Sequence, residues 1–111
     1  MENGILKIKV RTTAYIDTLI DARRSELSED RRLRIQFPKG VTRAYALRDL
    51  LYDGLVAAGE SVQAYIGDGR GAALTLRLEC IYVDLIQDHA THDGRSLNAS
   101  LLHLVALGSE S

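Results

Sequence analysis

Two stretches of the chain alternate apolar and polar residues with the period of a half-buried β-strand. Residues 5–11 read ILKIKVR and residues 73–79 read ALTLRLE. Because successive side chains of a strand point to opposite faces, each stretch has one apolar face and one polar face. The pattern predicts two strands over these residues, with their Lys, Arg and Thr side chains pointing away from the core.

Elsewhere the apolar residues recur at spacings of three and four, which predicts amphipathic helices. Thr42 and Ser96 each stand directly before such a pattern and are predicted to be helix N-caps. Gly59 and Gly94 follow such patterns and are predicted to end them. The four predicted helices cover residues 14–27, residues 42 to 57 or 58, residues 81–93 and the segment that opens at residue 96.

Two shorter stretches separate these elements. Residues 33–37, with the sequence LRIQF, alternate again and stop at Pro38-Lys39-Gly40, so they predict a short strand ended by a turn. Residues 62–66 fit another short strand, and the glycine-rich residues 67–71 fit a flexible linker. The predicted fold class is therefore α+β, mostly α, in one domain of 111 residues.

The two halves of the chain are related by an internal repeat. An offset of 66 residues aligns the strands and the helices that follow them, and it places Arg11 over Arg77. At the next helices the offset is 54 residues, and it places Leu50 over Leu104. The difference of twelve residues corresponds to one insertion. We therefore divide the domain, residues 1–111, into repeat 1 at about 5–59 with an insertion at about 27–38, a linker at about 60–72 and repeat 2 at about 73–108.

The second repeat carries a family resemblance. In residues 73–107 a short strand precedes an amphipathic helix, the turn Gly94-Arg95-Ser96 and a second helix that opens with SLNA. This order, and the spacing from Arg77 to Gly94, resemble the ribbon-helix-helix DNA-binding family of the Arc and MetJ class. With two repeats in one chain, the protein is similar to the tandem form of the conjugation protein TraY. The resemblance implies an intramolecular pseudo-dimer whose two strands pair as an antiparallel β-ribbon.

The resemblance also implies that the outer face of this ribbon enters the major groove of double-stranded DNA. The residues it assigns to base contacts are Lys7, Lys9, Arg11, Thr75 and Arg77. Those it assigns to phosphate contacts, at the starts of two helices, are Thr42, Arg43, Arg95 and Ser96. The function expected is sequence-specific DNA binding without a cofactor, as a transcriptional regulator or repressor or as a plasmid or phage DNA-site accessory protein. The state expected is a monomeric pseudo-dimer or a homodimer.

Charge is divided unevenly along the chain. Residues 1–48 contain eleven Lys and Arg against six Asp and Glu, whereas residues 49–111 contain three against nine. This asymmetry suits a surface for a polyanion, and it equally suits faces that attract a protein partner. The alternative is a small α+β protein–protein interaction module that uses its basic N-terminal and acidic C-terminal halves. There, residues 33–37 are a central strand, whereas in the DNA-binding interpretation they belong to a peripheral arm.

Other candidate chemistry is sparse, and no catalytic activity is predicted. His89 and His92 lie one helical turn apart beside two aspartates, but histidines near a helix C-terminus more often complement the helix dipole than bind a metal. Cys80 is the single cysteine, which fits a small buried side chain in a reducing compartment. No apolar run of about 18 residues and no signal-peptide pattern is present, so we expect a cytoplasmic protein without a membrane contact.

Overall fold

Two strands and five helices follow one another in the computed structural model, which describes residues 4–57, 69 and 73–110. The strands are β1 (Ile5–Arg11) and β2 (Ala73–Glu79). The helices are α1 (Ala14–Leu27), α2 (Arg31–Gln36), α3 (Arg43–Val56), α4 (Cys80–Asp93) and α5 (Leu97–Ser109). The described residues therefore form a small α+β structure that is mostly helical. Both main strands and all four helices predicted from the pattern are confirmed, and the predicted strand at 62–66 and the stop at Gly59 lie outside the described residues.

The two strands pair with each other in an antiparallel sheet. The register runs from Ile5 opposite Glu79 to Arg11 opposite Ala73. In each strand the even-numbered side chains face the helices, and those of Val10, Leu76 and Leu78 are fully buried. The odd-numbered side chains of both strands are exposed. The sheet is thus a two-stranded ribbon with one apolar face on the helical core and one polar face directed outward.

The predicted strand at residues 33–37 is wrong, because this segment lies largely in helix α2. The carboxylate of Asp30 accepts hydrogen bonds from the backbone N–H groups of Arg32 at 2.8 Å and Leu33 at 3.4 Å, which is an N-cap. The alternating pattern misled because Leu33 alone is buried in this helix, whereas Ile35 is 81% exposed. Within the described residues the sheet contains only β1 and β2. The central strand that the protein-binding alternative required at this position is therefore absent.

Short polar side chains fix where the other helices begin. Thr13, Thr42 and Ser96 are the N-caps of α1, α3 and α5, and each side-chain oxygen accepts a hydrogen bond of 3.1 Å from the backbone N–H three residues later. Helix α4 ends at Gly94, whose φ of 66° is the left-handed conformation that glycine adopts without strain. The N-caps predicted at Thr42 and Ser96 are confirmed.

Helices α3 and α5 cross at the centre of the core with their backbones in contact. A Cβ atom at Gly54 would lie 1.9 Å from the carbonyl oxygen of Leu104. Reciprocally, a Cβ atom at Gly108 would lie 2.0 Å from the carbonyl oxygen of Leu50. Only glycine permits this approach at either position. The large side chains that are fully buried around the crossing and under the ribbon include Ile16, Ile20, Leu47, Leu51, Ile86, Leu101, Leu102 and Val105.

We predict that Gly54→Ala and Gly108→Ala each lower the free energy of unfolding by at least about 2 kcal/mol, because the added methyl group meets backbone atoms. Alanine is favoured over glycine by about 1 kcal/mol within a helix, so helix propensity alone would raise stability. Urea denaturation followed by circular dichroism measures the change. Gly4→Ala is the control, since its Cβ would meet only the Cys80 sulfur, at 3.7 Å. Equal or higher stability of both helix variants would contradict the close backbone crossing.

Candidate nucleic-acid interface

The outer face of the ribbon brings together all five side chains that the sequence assigned to base contacts. Lys7 lies opposite Arg77, Lys9 opposite Thr75, and Arg11 opposite Ala73. Every one of these residues is exposed. Neighbouring strands are about 4.8 Å apart, and alternate residues along a strand are about 6.7 Å apart. The face is therefore a narrow strip, two side chains wide and about 20 Å long.

This strip is electrically one-sided. It carries four cationic side chains, and Glu79, opposite Ile5 at one end, is its single carboxylate. Among the described residues, Lys7, Lys9 and Arg77 form no ion pair with an acidic side chain. Like charges at this spacing produce a positive potential that a compensating polyanion lowers. The arrangement can bind a negatively charged strip of matching width.

The first turn of α5 is fixed to one end of the ribbon by Asn98. The Asn98 side-chain amide donates a hydrogen bond of 2.9 Å to the carbonyl oxygen of Arg11, and its oxygen accepts one of 2.9 Å from the Arg11 N–H. The pair acts as a short continuation of the sheet. The sequence placed Asn98 in the SLNA motif, but it gave no sign of this role, because the partner is 87 residues away in the chain.

The two predicted phosphate-binding helix starts are exposed. Thr42 precedes α3 and Ser96 precedes α5, and each caps its helix through its own hydroxyl group. The first backbone N–H groups of a helix have no partner inside the helix, and the helix dipole adds partial positive charge there. Both positions can therefore interact favourably with an anion.

The two arginines beside these helix starts already contact carboxylates. Arg43 Nη2 lies 2.6 Å from the Asp17 Oδ1 atom, and Arg95 Nη1 lies 3.8 Å from the Asp93 Oδ2 atom. The hydrogen bond from His92 and the charge of Arg95 hold the pKa of Asp93 below its ordinary range. A phosphate at either helix start must therefore compete with, or share, these carboxylate partners.

The histidines lie at the contact between α4 and α5. His92 is exposed, and its Nδ1 is 3.1 Å from Asp93 Oδ1. In the part of the chain that the structure describes, no cluster of three or more His, Cys, Asp or Glu side chains is arranged to hold a metal ion. The described helices are also too short or too polar to cross a membrane.

His103 differs from the other histidines because it is partly buried and its Nδ1 has no hydrogen-bond partner among the described residues. Burial lowers the pKa of the His103 imidazole, and the charges of Arg95 and His89 lower it further against the opposing effect of Asp93. The neutral form is thus the one that the folded protein stabilises.

Comparisons of the chain with protein-family models, curated proteins and solved structures found no match. The function is therefore inferred from the residues and their arrangement.

We predict that His103 makes stability fall as the pH falls. Its pKa is lowered in the folded protein, whereas an unfolded histidine has a pKa of about 6.5. The unfolded chain therefore binds the proton first, and the contribution of His103, which is complete above pH of about 6.5, is lost as the pH falls toward the folded-state pKa. His103→Gln should show a smaller loss of unfolding free energy between pH of about 7 and 5 than the wild type.

Urea denaturation at several pH values measures this difference. His92→Gln serves as the control, because this exposed histidine is expected to leave the pH dependence unchanged. Identical pH dependence of wild type and His103→Gln would show that His103 is not the titrating group.

Proposed function

We propose that the protein is a single-chain tandem ribbon-helix-helix protein that binds double-stranded DNA through the outer face of the β1–β2 ribbon. The observation that carries the proposal is the sheet register, which aligns Lys7, Lys9, Arg11, Thr75 and Arg77 on one exposed face. The expected role is recognition of a specific DNA site, either in transcriptional regulation or in the organisation of plasmid or phage DNA.

Correspondences between the two halves support the pseudo-dimer. Helices α1 and α4 both have 14 residues and begin 66 positions apart. The N-caps of α3 and α5, Thr42 and Ser96, are 54 positions apart. The reciprocal glycine contacts at the helix crossing obey the same offset, since Gly54 and Gly108 are 54 positions apart. Matching bounds and reciprocal contacts are what an approximate two-fold axis within one chain requires.

The register of the ribbon supports the same axis independently. At a two-fold axis through an antiparallel pair of strands, equivalent residues must lie opposite each other. The sequence offset of 66 makes Lys9 equivalent to Thr75, and these two residues are paired across the ribbon. The axis therefore passes between them, at the middle of the outward face.

The dimensions and chemistry of the strip suit the DNA major groove. A two-stranded ribbon fits a groove about 12 Å wide. Lys and Arg can donate to guanine O6 and N7, and the methyl groups of Thr75 and Ala73 can contact the thymine methyl group. The anion-binding starts of α3 and α5 can then contact flanking phosphates, and Asn98 fixes one of them relative to the ribbon.

The two halves of the strip are chemically unequal. The outer arginines, Arg11 and Arg77, are equivalent under the 66-residue offset, whereas Lys9 corresponds to Thr75, and Lys7 to Ala73. Arg11 and Arg77 are four residues apart along the ribbon, or about 13 Å. This distance spans about four base pairs. The preferred site should therefore contain G·C pairs at two symmetric outer positions and a centre that departs from the palindrome.

Replacing Lys9, Arg11 and Arg77 together by Ala tests the ribbon. Loss of three base-edge contacts should weaken binding to a duplex selected from a random pool by at least about 100-fold. The slope of log affinity against log salt, measured by fluorescence anisotropy at about 50 to 200 mM salt, should also become less steep. Stability should not change, since all three side chains are exposed.

The matched control exchanges the same residues without changing their charge, as Lys9→Arg, Arg11→Lys and Arg77→Lys. It should keep the salt dependence but lose part of the preference for the selected duplex, because Lys cannot copy the bidentate geometry of Arg. Binding of the Ala variant equal to wild type would contradict the ribbon interface. Absence of salt-dependent binding by the wild type would favour the protein-binding module instead.

Selection from random duplexes tests the unequal halves. The wild type should select a site with symmetric outer pairs and a non-palindromic centre. Changing Ala73→Lys and Thr75→Lys makes the two strands alike on the outer face, so the double variant should select a palindrome. Selection of one palindromic site by both proteins would show that the inner positions do not read bases.

A further inference from the structure

The inserted segment of the first half, residues 28–41, is held against the start of α3. Phe37 packs edge-on against Tyr45 of α3, with ring centroids 5.0 Å apart. Leu33 is buried, and Arg24 Nε of α1 donates a hydrogen bond of 2.9 Å to the Val41 carbonyl oxygen. Gly40, with φ of 105°, turns the chain directly into the Thr42 N-cap. The segment is thus anchored beside one of the two exposed helix starts.

The outer surface of this segment is basic. Arg31, Arg32, Arg34 and Lys39 are all exposed, and Glu29 and Asp30 are its two acidic residues. The Asp30 carboxylate is used as the N-cap of α2. Arg34 Nη2 donates to the Glu29 carbonyl oxygen at 3.2 Å. Among the described residues, Arg31, Arg32 and Lys39 form no ion pair. These three cations are therefore available to an external anion.

The second half has no counterpart to this surface. The corresponding connection between α4 and α5 is the turn Gly94-Arg95 before Ser96. Asn98 holds the start of α5 at the Arg11 end of the ribbon. The offsets relate Asn98 to Ala44 and Arg11 to Arg77, and α3 contacts β2. The start of α3, with the basic segment beside it, thus belongs to the opposite end of the ribbon.

We propose that residues 28–41 form a one-sided clamp on the DNA backbone, in which Arg31, Arg32 and Lys39 bind phosphates beyond the Arg77 end of the ribbon. The inference rests on the proposed DNA binding and adds a second, sequence-independent contact to it. Regularly spaced phosphates match a set of exposed cations that lie beside a helix start already suited to one phosphate. The protein then covers more DNA on one side of its site than on the other.

The test is a hydroxyl-radical footprint on the selected duplex, comparing wild type with the Arg31→Ala/Arg32→Ala variant. Arg34 is left in place because it contacts the Glu29 backbone. The wild-type footprint should extend further at one end, and the variant should lose that extension. The slope of log affinity against log salt should become less steep by about 2, while the preference for the selected bases stays unchanged.

Two further variants make the result specific. Arg31→Lys/Arg32→Lys retains both charges and should keep the extended footprint and the salt slope. Arg77→Ala identifies the end concerned, because it should weaken the preference for one outer base pair only. The footprint extension should lie on that side.

The outcomes separate the clamp from the ribbon. If the wild type binds its site with a symmetric footprint, or if the Ala variant keeps the wild-type footprint and salt slope, the clamp is overturned and the ribbon proposal stands. An extension at the Arg11 end, or a variant that loses base preference, also overturns the clamp. If the wild type binds no duplex, both proposals fail together.

Discussion

The pairing of β1 with β2 is the interaction on which the described structure depends. The strands lie more than sixty residues apart in the chain, and within the described residues each has the other as its single partner. Their register decides which side chains are buried, since a slip of one residue would turn Val10 and Leu76 outward and the cations inward. The apolar pattern of each strand and the pairing therefore support each other, and the polar strip follows from the burial of the other face.

The helix crossing complements this pairing from the other side of the core. The backbone contacts of Gly54 and Gly108 let α3 and α5 approach closely, so that the leucines of both helices pack under the ribbon. Arg23 links α1 to α3 at the edge of the core, through Asp49 at 2.6 Å and Asp53 at 2.8 Å. One strand with two helices could not bury such a core, which explains why both halves of the chain are needed.

The sequence predicted those features that depend on local periodicity. The bounds of both strands follow from strict alternation, and the starts of α3 and α5 follow from Thr42 and Ser96. The segment 33–37 was misassigned because five alternating residues fit one helical turn as well as a strand, and the Asp30 cap decided between them. The roles of Asn98 and Gly108 depend on partners distant in the chain, so neither periodicity nor composition could show them. The five ribbon residues were found because alternation alone fixes their common face.

The most direct test of the central claim is to map the DNA contact on isotope-labelled protein by nuclear magnetic resonance. Titration with the selected duplex should shift the backbone amides of both strands most, with the largest changes at and beside Lys9 and Thr75, where the proposed two-fold axis meets the outer face. Such a result would identify the ribbon as the DNA-binding surface. Shifts confined to the acidic outer side of α4, around Asp84 and Asp88, or no shifts at all, would contradict the account.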